Sequence, residues 1–352
     1  MKSSARNGKI DLLKFVFAVI IIIYHFNKAT TYPQPIFTRG YIGVEFFFVT
    51  SGFLFAQSLS RLSCRKATLI DDSFAFMKRK FISLFPYHFF FLLATLIFCI
   101  IHYHWDTERS FVQIIKCIPD LLLLRINGIS SLTLLGHEWY LSAMLIVMFI
   151  LTPIALQYRS FFFRFLCPVL TVFCLGFLYQ QKHNLDFVTE WIGLCTTGFL
   201  RGTGEIALGC LCYAVYDKKL PERLPKWLLS AIELFLYAVI LLHANRMTTI
   251  VNDYAILFLT AIAVTISFTP KASFGFLNNR FVYFLGKLSY PIYLSQIFVR
   301  QIIAPIDFGL GYAFHVAFYV VCVIVVSLLC ILLVDNLLKL TKKTSPHPLP
   351  TN

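Results

Sequence analysis

The feature that most constrains this 352-residue chain is a series of apolar runs, each close to the length that crosses a lipid bilayer. A transmembrane helix needs about 20 predominantly apolar residues to span a hydrocarbon core about 30 Å thick. Ten such runs lie at residues 10–27, 41–60, 84–103, 139–157, 162–180, 198–216, 227–244, 250–268, 284–303 and 312–335. The sequence therefore predicts an all-α, polytopic membrane bundle of about ten transmembrane helices.

Composition excludes most other classes. Apolar residues make up 58% of the chain and charged residues 14%, whereas soluble domains average about 45–50% and 25%. Such a chain has too few polar side chains to cover a surface that faces water. A soluble enzyme, a fibre, a disulfide scaffold and a disordered chain are therefore excluded. The ten cysteines mostly lie within apolar runs and lack the spacing of metal ligands, so we expect no metal site.

The charged residues predict the orientation. The formal net charge is +14, but the basic residues lie in short segments between apolar runs, which is a topology signal and does not indicate nucleic-acid binding. Placing both termini in the cytoplasm puts most of these residues on that side, so the sequence predicts that both termini are cytoplasmic. No small-residue cleavage site follows the first run, so we expect a retained helix. We expect one membrane domain at 1–340 and a disordered cytoplasmic tail at 341–352.

The longest loop, 104–138, is predicted to lie outside. Its apolar piece Phe111–Arg125 is too short to span and contains Pro119, so an interfacial or re-entrant segment fits.

The first helix carries three ionisable residues, which are costly at membrane depth and are therefore candidates for function. At 100° per residue, Lys14 and His25 differ by about 20°, and Asp11 is close to both. All three share a stripe that we expect to face the bundle interior. Asp11 and Lys14 can pair at i, i+3, either structurally or in a substrate role. His25, near the outer end, is either an interfacial residue or a functional one.

Helix 2 enters from outside, so Glu45 should match the depth of His25. A carboxylate beside an imidazole orients the ring for general-base catalysis. Glu45 also begins a stripe with Val49, Gly52 and Ala56, whose small members permit close helix approach. The alternative is a simple packing stripe with Glu45 facing water.

Other candidates have simpler explanations. The cluster Lys78, Arg79 and Lys80 satisfies the positive-inside rule but could also bind phosphates. Arg201 and Glu205 suit a structural i, i+4 pair.

Aromatic residues at helix starts form a further group. Trp139 and Tyr140 are placed like interfacial anchors. Tyr290 lies beside Pro291, which we expect in the first turn of the ninth helix.

Five segments together resemble one family, the acyltransferase-3 family of integral-membrane acyltransferases, in its polysaccharide O-acetyltransferase-like branch. They are Lys9–Lys14 with His25, Gly43–Phe53, Phe76–Pro86, Trp139–Met144 and Gly286–Leu294. The sequence differs from the family pattern at Lys80 and Ser83, where the family often has Arg, at Met144, where many members have Glu, and at Gln296, where His is frequent.

The resemblance implies a multi-pass enzyme of the bacterial cytoplasmic membrane. It implies transfer of an acyl group, usually acetyl, from cytoplasmic acyl-CoA to a hydroxyl of a surface polysaccharide or its lipid-linked precursor. Acyl-CoA is then a co-substrate, with no bound cofactor, and the partners are the bilayer, acyl-CoA and the glycan. A glycan or acyl exporter without chemistry is the alternative, because polar stripes also serve translocation.

Roles for the candidates follow from the same resemblance. His25 falls on the family's functional His and would accept the hydroxyl proton or carry the acyl group, with Glu45 orienting it. Donor binding falls to Asp11, Lys14, Lys78, Arg79 and Lys80. Acceptor binding or support falls to Trp139, Tyr140, Arg201, Glu205 and Tyr290.

Overall fold

The computed structural model describes residues 6–62, 68–127, 134–246, 251–272 and 274–344. Its helices are α1 (Gly8–Asn27), α2 (Gly43–Ser60), α3 (Leu69–His102), α4 (Thr107–Lys116), α5 (Ile118–Leu121), α6 (Trp139–Gln157), α7 (Arg159–Phe161), α8 (Cys167–Gln181), α9 (Thr197–Asp217), α10 (Lys226–Ala244), α11 (Asp253–Phe268), α12 (Arg280–Ile303) and α13 (Gly311–Thr344). A π-helical turn, Phe162–Leu166, joins α7 to α8. Strands β1 (Trp191–Ile192) and β2 (Cys195–Thr196) form a short antiparallel pair.

The helices confirm an all-α polytopic membrane protein. Within the described residues, seven helical segments are long and apolar enough to cross a membrane. They are Gly8–Asn27, Gly40–Ser60, Leu69–His102, Gly136–Gln157, Arg159–Gln181, Lys226–Ala244 and Gly311–Leu340. The other three predicted spans coincide with α9, the 16-residue apolar α11, and α12. Helices α9 and α12 are less apolar because they place polar side chains in the interior.

Two helix starts differ from the prediction. Helix α3 begins at Leu69, so the Lys78–Lys80 cluster is helical and not part of a loop, and Pro86 lies inside the helix. Helix α12 begins at Arg280, so Pro291 is also internal. Lys and Arg are good helix formers, and neighbouring helices make prolines tolerable within membrane helices. The apolar runs mark lipid-crossing residues and not the full helices.

The predicted long loop and the predicted tail both contain helical residues. The segment predicted to lie outside contains α4 and α5, of 10 and 4 residues, both too short to span. Helix α13 continues to Thr344, four residues into the expected tail. The rest of that tail, 345–352, lies outside the described residues.

Close helix packing at glycines sets the position of α2. A Cβ built on Gly52 would lie 2.2 Å from the carbonyl oxygen of Ile206, and one on Gly209 would lie 2.2 Å from that of Val49. Only glycine permits this approach of α2 to α9. The predicted small-residue stripe is therefore a true packing face, and a large apolar core surrounds it.

A second interface, between α1 and α12, determines which residues share an end of the bundle. A Cβ on Gly286 would lie 2.4 Å from the Cβ of Asp11. Nearby, Lys287 pairs with Asp335 of α13 at 2.5 Å. The beginning of α1 and the last turns of α13 thus lie at the same end of the bundle, and His25 lies at the other end. This arrangement agrees with an even number of membrane crossings.

Candidate active site

Three cavities follow the α1–α12 interface from one end of the bundle to the other. The Asp11 cavity, about 640 Å³, is lined by Asp11 and Lys14. The Lys80 cavity, about 260 Å³, shares Lys14 and Gly286 with it. The His25 cavity, about 230 Å³, shares Val44 and Tyr293 with the Lys80 cavity. The predicted stripe on α1 is the face that borders this row.

His25 is held in one orientation by an amide that the sequence argument did not assign to it. Its Nδ1 lies 2.7 Å from Oε1 of Gln296, while Nε2 of Gln296 donates to the carbonyl of Tyr293 at 2.8 Å. The amide oxygen therefore faces the imidazole, and Nδ1 carries the hydrogen that it donates. Nε2 of His25 is left as an acceptor on the wall of an interior cavity.

Glu45 does not contact His25, and the expected pairing is wrong. Its Oε1 accepts from Nη2 of Arg201 at 2.6 Å, and its Oε2 accepts from Nε of Arg201 at 3.3 Å. The same Nε donates to Glu205 at 2.8 Å, which confirms the predicted i, i+4 pair. The packing stripe turns Glu45 towards α9, where a guanidinium offers a bidentate, charged partner. Glu45 is fully buried, so the alternative with Glu45 in water is also wrong.

The predicted aromatic anchors lie inside the bundle. Trp139 and Tyr140 are only 6% and 7% exposed, which excludes a belt at the membrane surface. Trp139 lines the His25 cavity and covers the Arg201 guanidinium at 5.2 Å. Tyr140 and Tyr290 line the Lys80 cavity, and Tyr290 donates to the carbonyl of Leu84 at 3.1 Å.

The five predicted donor-binding residues divide into two groups. Asp11 pairs with Arg6 at 2.5 Å and with Lys14 at 3.7 Å, as the i, i+3 spacing predicts. Asp11, Lys14 and Lys80 line the first two cavities. Lys78 and Arg79 are exposed and line none of the three.

The segment between α8 and α9 lines the His25 cavity and is held there by contacts that sequence reasoning missed. Asp186 accepts from the Tyr24 hydroxyl at 2.5 Å and from Lys28 at 2.8 Å. Asp253 accepts from the Tyr41 hydroxyl and the Leu185 amide, both at 2.9 Å. Single carboxylates in loops and at helix starts give no signal of such distant partners in one sequence.

A second polar cluster that the sequence did not reveal joins α3, α5 and the start of α6. Nδ1 of His88 lies 3.0 Å from Oε1 of Glu138, and its Nε2 donates to the carbonyl of Asp120 at 2.9 Å. All three side chains are fully buried. Burial, together with the neighbouring Glu138, raises the pKa of the Asp120 carboxyl to about 7. The cluster fixes the residue preceding Glu138, His137, in the wall of the His25 cavity.

The membrane helix bundle thus encloses an oriented imidazole at one end and a cavity lined by Arg6, Asp11 and Lys14 at the other. A family model described as an acyltransferase domain, that of the acyltransferase-3 family, matches residues 7–335, and the chain belongs to this family. It is therefore a membrane acyltransferase. Neither a curated protein nor a solved structure matches the chain. The polysaccharide O-acetyltransferase branch stays a prediction.

Proposed function

We propose that the protein is an O-acyltransferase of the bacterial cytoplasmic membrane. It moves an acetyl group from cytoplasmic acetyl-CoA to a hydroxyl of a surface polysaccharide or of its lipid-linked precursor. The observation that carries this proposal is the row of cavities from Asp11 to His25, in which each neighbouring pair shares two lining residues. Such a row suits a long, thin substrate that enters at one end and reacts at the other.

The donor enters at the Asp11 cavity. Lys14 borders the first two cavities and Lys80 borders the second, so two cations face the place where CoA phosphates would lie. Lys14 and His25 are 11 residues apart on one helix, which is about 17 Å. The flexible pantetheine arm crosses this distance and brings the thioester past Val44 and Tyr293 to the imidazole.

The chemistry takes place at Nε2 of His25. This nitrogen accepts the proton of the acceptor hydroxyl while the hydroxyl oxygen attacks the thioester carbonyl carbon. The tetrahedral intermediate collapses, the carbon–sulfur bond breaks, and the departing CoA thiolate takes the proton from the imidazolium. Gln296 keeps Nδ1–H in place throughout, so the neutral imidazole presents the correct nitrogen. Glu45 acts at a distance, by fixing Arg201 under Trp139.

The fate of the thioester distinguishes a transferase from the alternative, an exporter without chemistry. Purified protein in detergent is supplied with radiolabelled acetyl-CoA and the lipid-linked glycan extracted from the same cells. Free thiol and labelled glycan should appear in equal amounts and only when both substrates are present. An intact thioester in this assay, with glycan transport by the same protein in vesicles, would establish the exporter.

A further inference from the structure

Three cationic side chains line the His25 cavity, and two of them are matched by carboxylates. Arg201 is held by Glu45 and Glu205, and Lys28 pairs with Asp186. Arg300 is the third. Within the part of the chain that the structure describes, it forms no ion pair and makes one hydrogen bond, from Nη1 to the carbonyl of His25 at 3.0 Å.

That single bond does not explain an arginine at this position. His25 lies in the last turn of α1, where a donor to a free carbonyl stabilises the helix end. A guanidinium has five N–H donors, and this role uses one of them. Holding a half-buried cation without a counter-charge costs free energy. The other donors are therefore available on a cavity wall, directly beside the imidazole.

We propose that Arg300 binds an anionic group, a carboxylate or a phosphate, on the sugar that presents its hydroxyl to His25. The inference rests on the proposed function for the identity of its ligand as the acceptor. Because the Arg300 guanidinium is hydrogen-bonded to the backbone of His25, an anion bound to that guanidinium lies close to Nε2 of the His25 imidazole. A planar fork of donors fits the oxygens of carboxylate or phosphate in pairs.

The other walls of the cavity suit the rest of such a ligand. Lys28, the residue directly after α1, also lines this cavity and supplies a second cation. Its pair with Asp186 is half exposed, with 52% and 33% of the side chains in solvent, so it is weak enough to exchange for a ligand. Trp139 and Tyr41 also line this cavity and add aromatic surface to it.

The test measures binding separately from catalysis. Full-length protein in detergent is titrated with glucuronate, glucose 1-phosphate, glucose and inorganic phosphate at constant ionic strength, and thermal unfolding is followed. A ligand that binds only the folded state raises the midpoint. We expect at least one anionic sugar to stabilise the wild type more than glucose or phosphate does. Stabilisation by glucuronate alone would identify the bound group as a carboxylate. Stabilisation by glucose 1-phosphate alone would identify it as a phosphate.

Variants of Arg300 test whether the stabilisation by anionic sugars depends on this guanidinium. Arg300→Gln should weaken the apparent affinity for the anionic sugar at least about tenfold and leave that for glucose unchanged. Arg300→Lys should fall between, because it keeps the charge without the fork. Lys78→Gln removes an exposed lysine that borders none of the three cavities; it is the control and should respond like the wild type.

Three results would overturn the inference: no stabilisation of the wild type by either anionic sugar, an undiminished response in Arg300→Gln, or an Arg300-dependent response to inorganic phosphate as strong as that to the sugars. The proposed function fails separately. Anionic sugars that bind through Arg300 while no CoA is ever released would refute the transferase and keep the anion site.

Discussion

The Asp11 cavity and the His25 cavity both contain ion pairs, but they hold them differently. At the Asp11 end, the Arg6 and Lys14 side chains are 49% and 27% exposed around one carboxylate, beside the largest of the three volumes. At the His25 end, the Lys28–Asp186 pair is half exposed, but Arg201 is 1% exposed and both of its carboxylates are fully buried. Solvated charges can rearrange around an entering phosphate, whereas buried pairs stay fixed and hold a reaction geometry. The proposed function assigns donor binding to the Asp11 end and the reaction to the end that holds His25.

Replacing His25 tests the reacting end most directly, and we expect the largest effect there. Loss of a general base costs roughly 10²–10⁴ in rate. His25→Gln should insert, fold and bind acyl-CoA, yet transfer almost nothing, because an amide cannot accept the proton. Single-turnover transfer and equilibrium acyl-CoA binding are the two measurements, and His315→Gln, outside the three cavities, is the control. Normal transfer would end the general-base role, and lost acyl-CoA binding would assign His25 to the donor.

Removing the buried cation should damage the fold. Arg201→Ala leaves Glu45 and Glu205 buried without a positive partner, which we expect to cost about 3–5 kcal/mol of stability. Glu45→Gln should cost less, because Glu205 still pairs with Arg201. Thermal unfolding in detergent measures both. If Arg201→Ala is as stable as the wild type, the buried pairs do not hold the reacting end together.

Gln296 should act through the orientation of His25. Gln296→Ala removes one neutral hydrogen bond, so we expect a fall of about five- to tenfold in kcat with little change in KM for acyl-CoA. In Gln296→Glu the new carboxylate stabilises the protonated imidazole, so the acidic limb of the pH–rate profile should move to higher pH. An unmoved limb in Gln296→Glu would show that position 296 supports only the packing of α12 on α1.

The smallest effect is expected at the binding end. Lys80→Gln should raise the acyl-CoA concentration for half-maximal rate by a few-fold, more at low salt than at high salt, because the cavity is open to screening ions. The acceptor requirement should not change. Lys78→Gln is the matched control, because Lys78 is exposed on the same helix and borders none of the three cavities. Equal effects in both variants would mean that the cluster acts only as a topology signal.

Part of this site was predictable because it depends on local geometry. The phase of a helix places Asp11, Lys14 and His25 on one face, and the i, i+4 spacing pairs Arg201 with Glu205. The partner of Glu45 was not predictable, because Arg201 is 156 residues away along the chain. The contact between His25 and Gln296 spans 271 residues, and Gln296 appeared in the sequence only as a departure from the family pattern.

The sequence by itself determined that this chain is a membrane helix bundle, where its spans lie, and which family it belongs to. Apolar length suffices for the spans, because the bilayer imposes it on each segment separately. The family follows instead from five motif segments and from the family match over residues 7–335. Only the tertiary structure decided that Glu45 pairs with Arg201, that Gln296 orients His25, and that Arg300 has no carboxylate partner among the described residues. Those facts depend on which helices meet, and helix packing is set by shape complementarity at sites such as Gly52 and Gly286 and not by hydropathy.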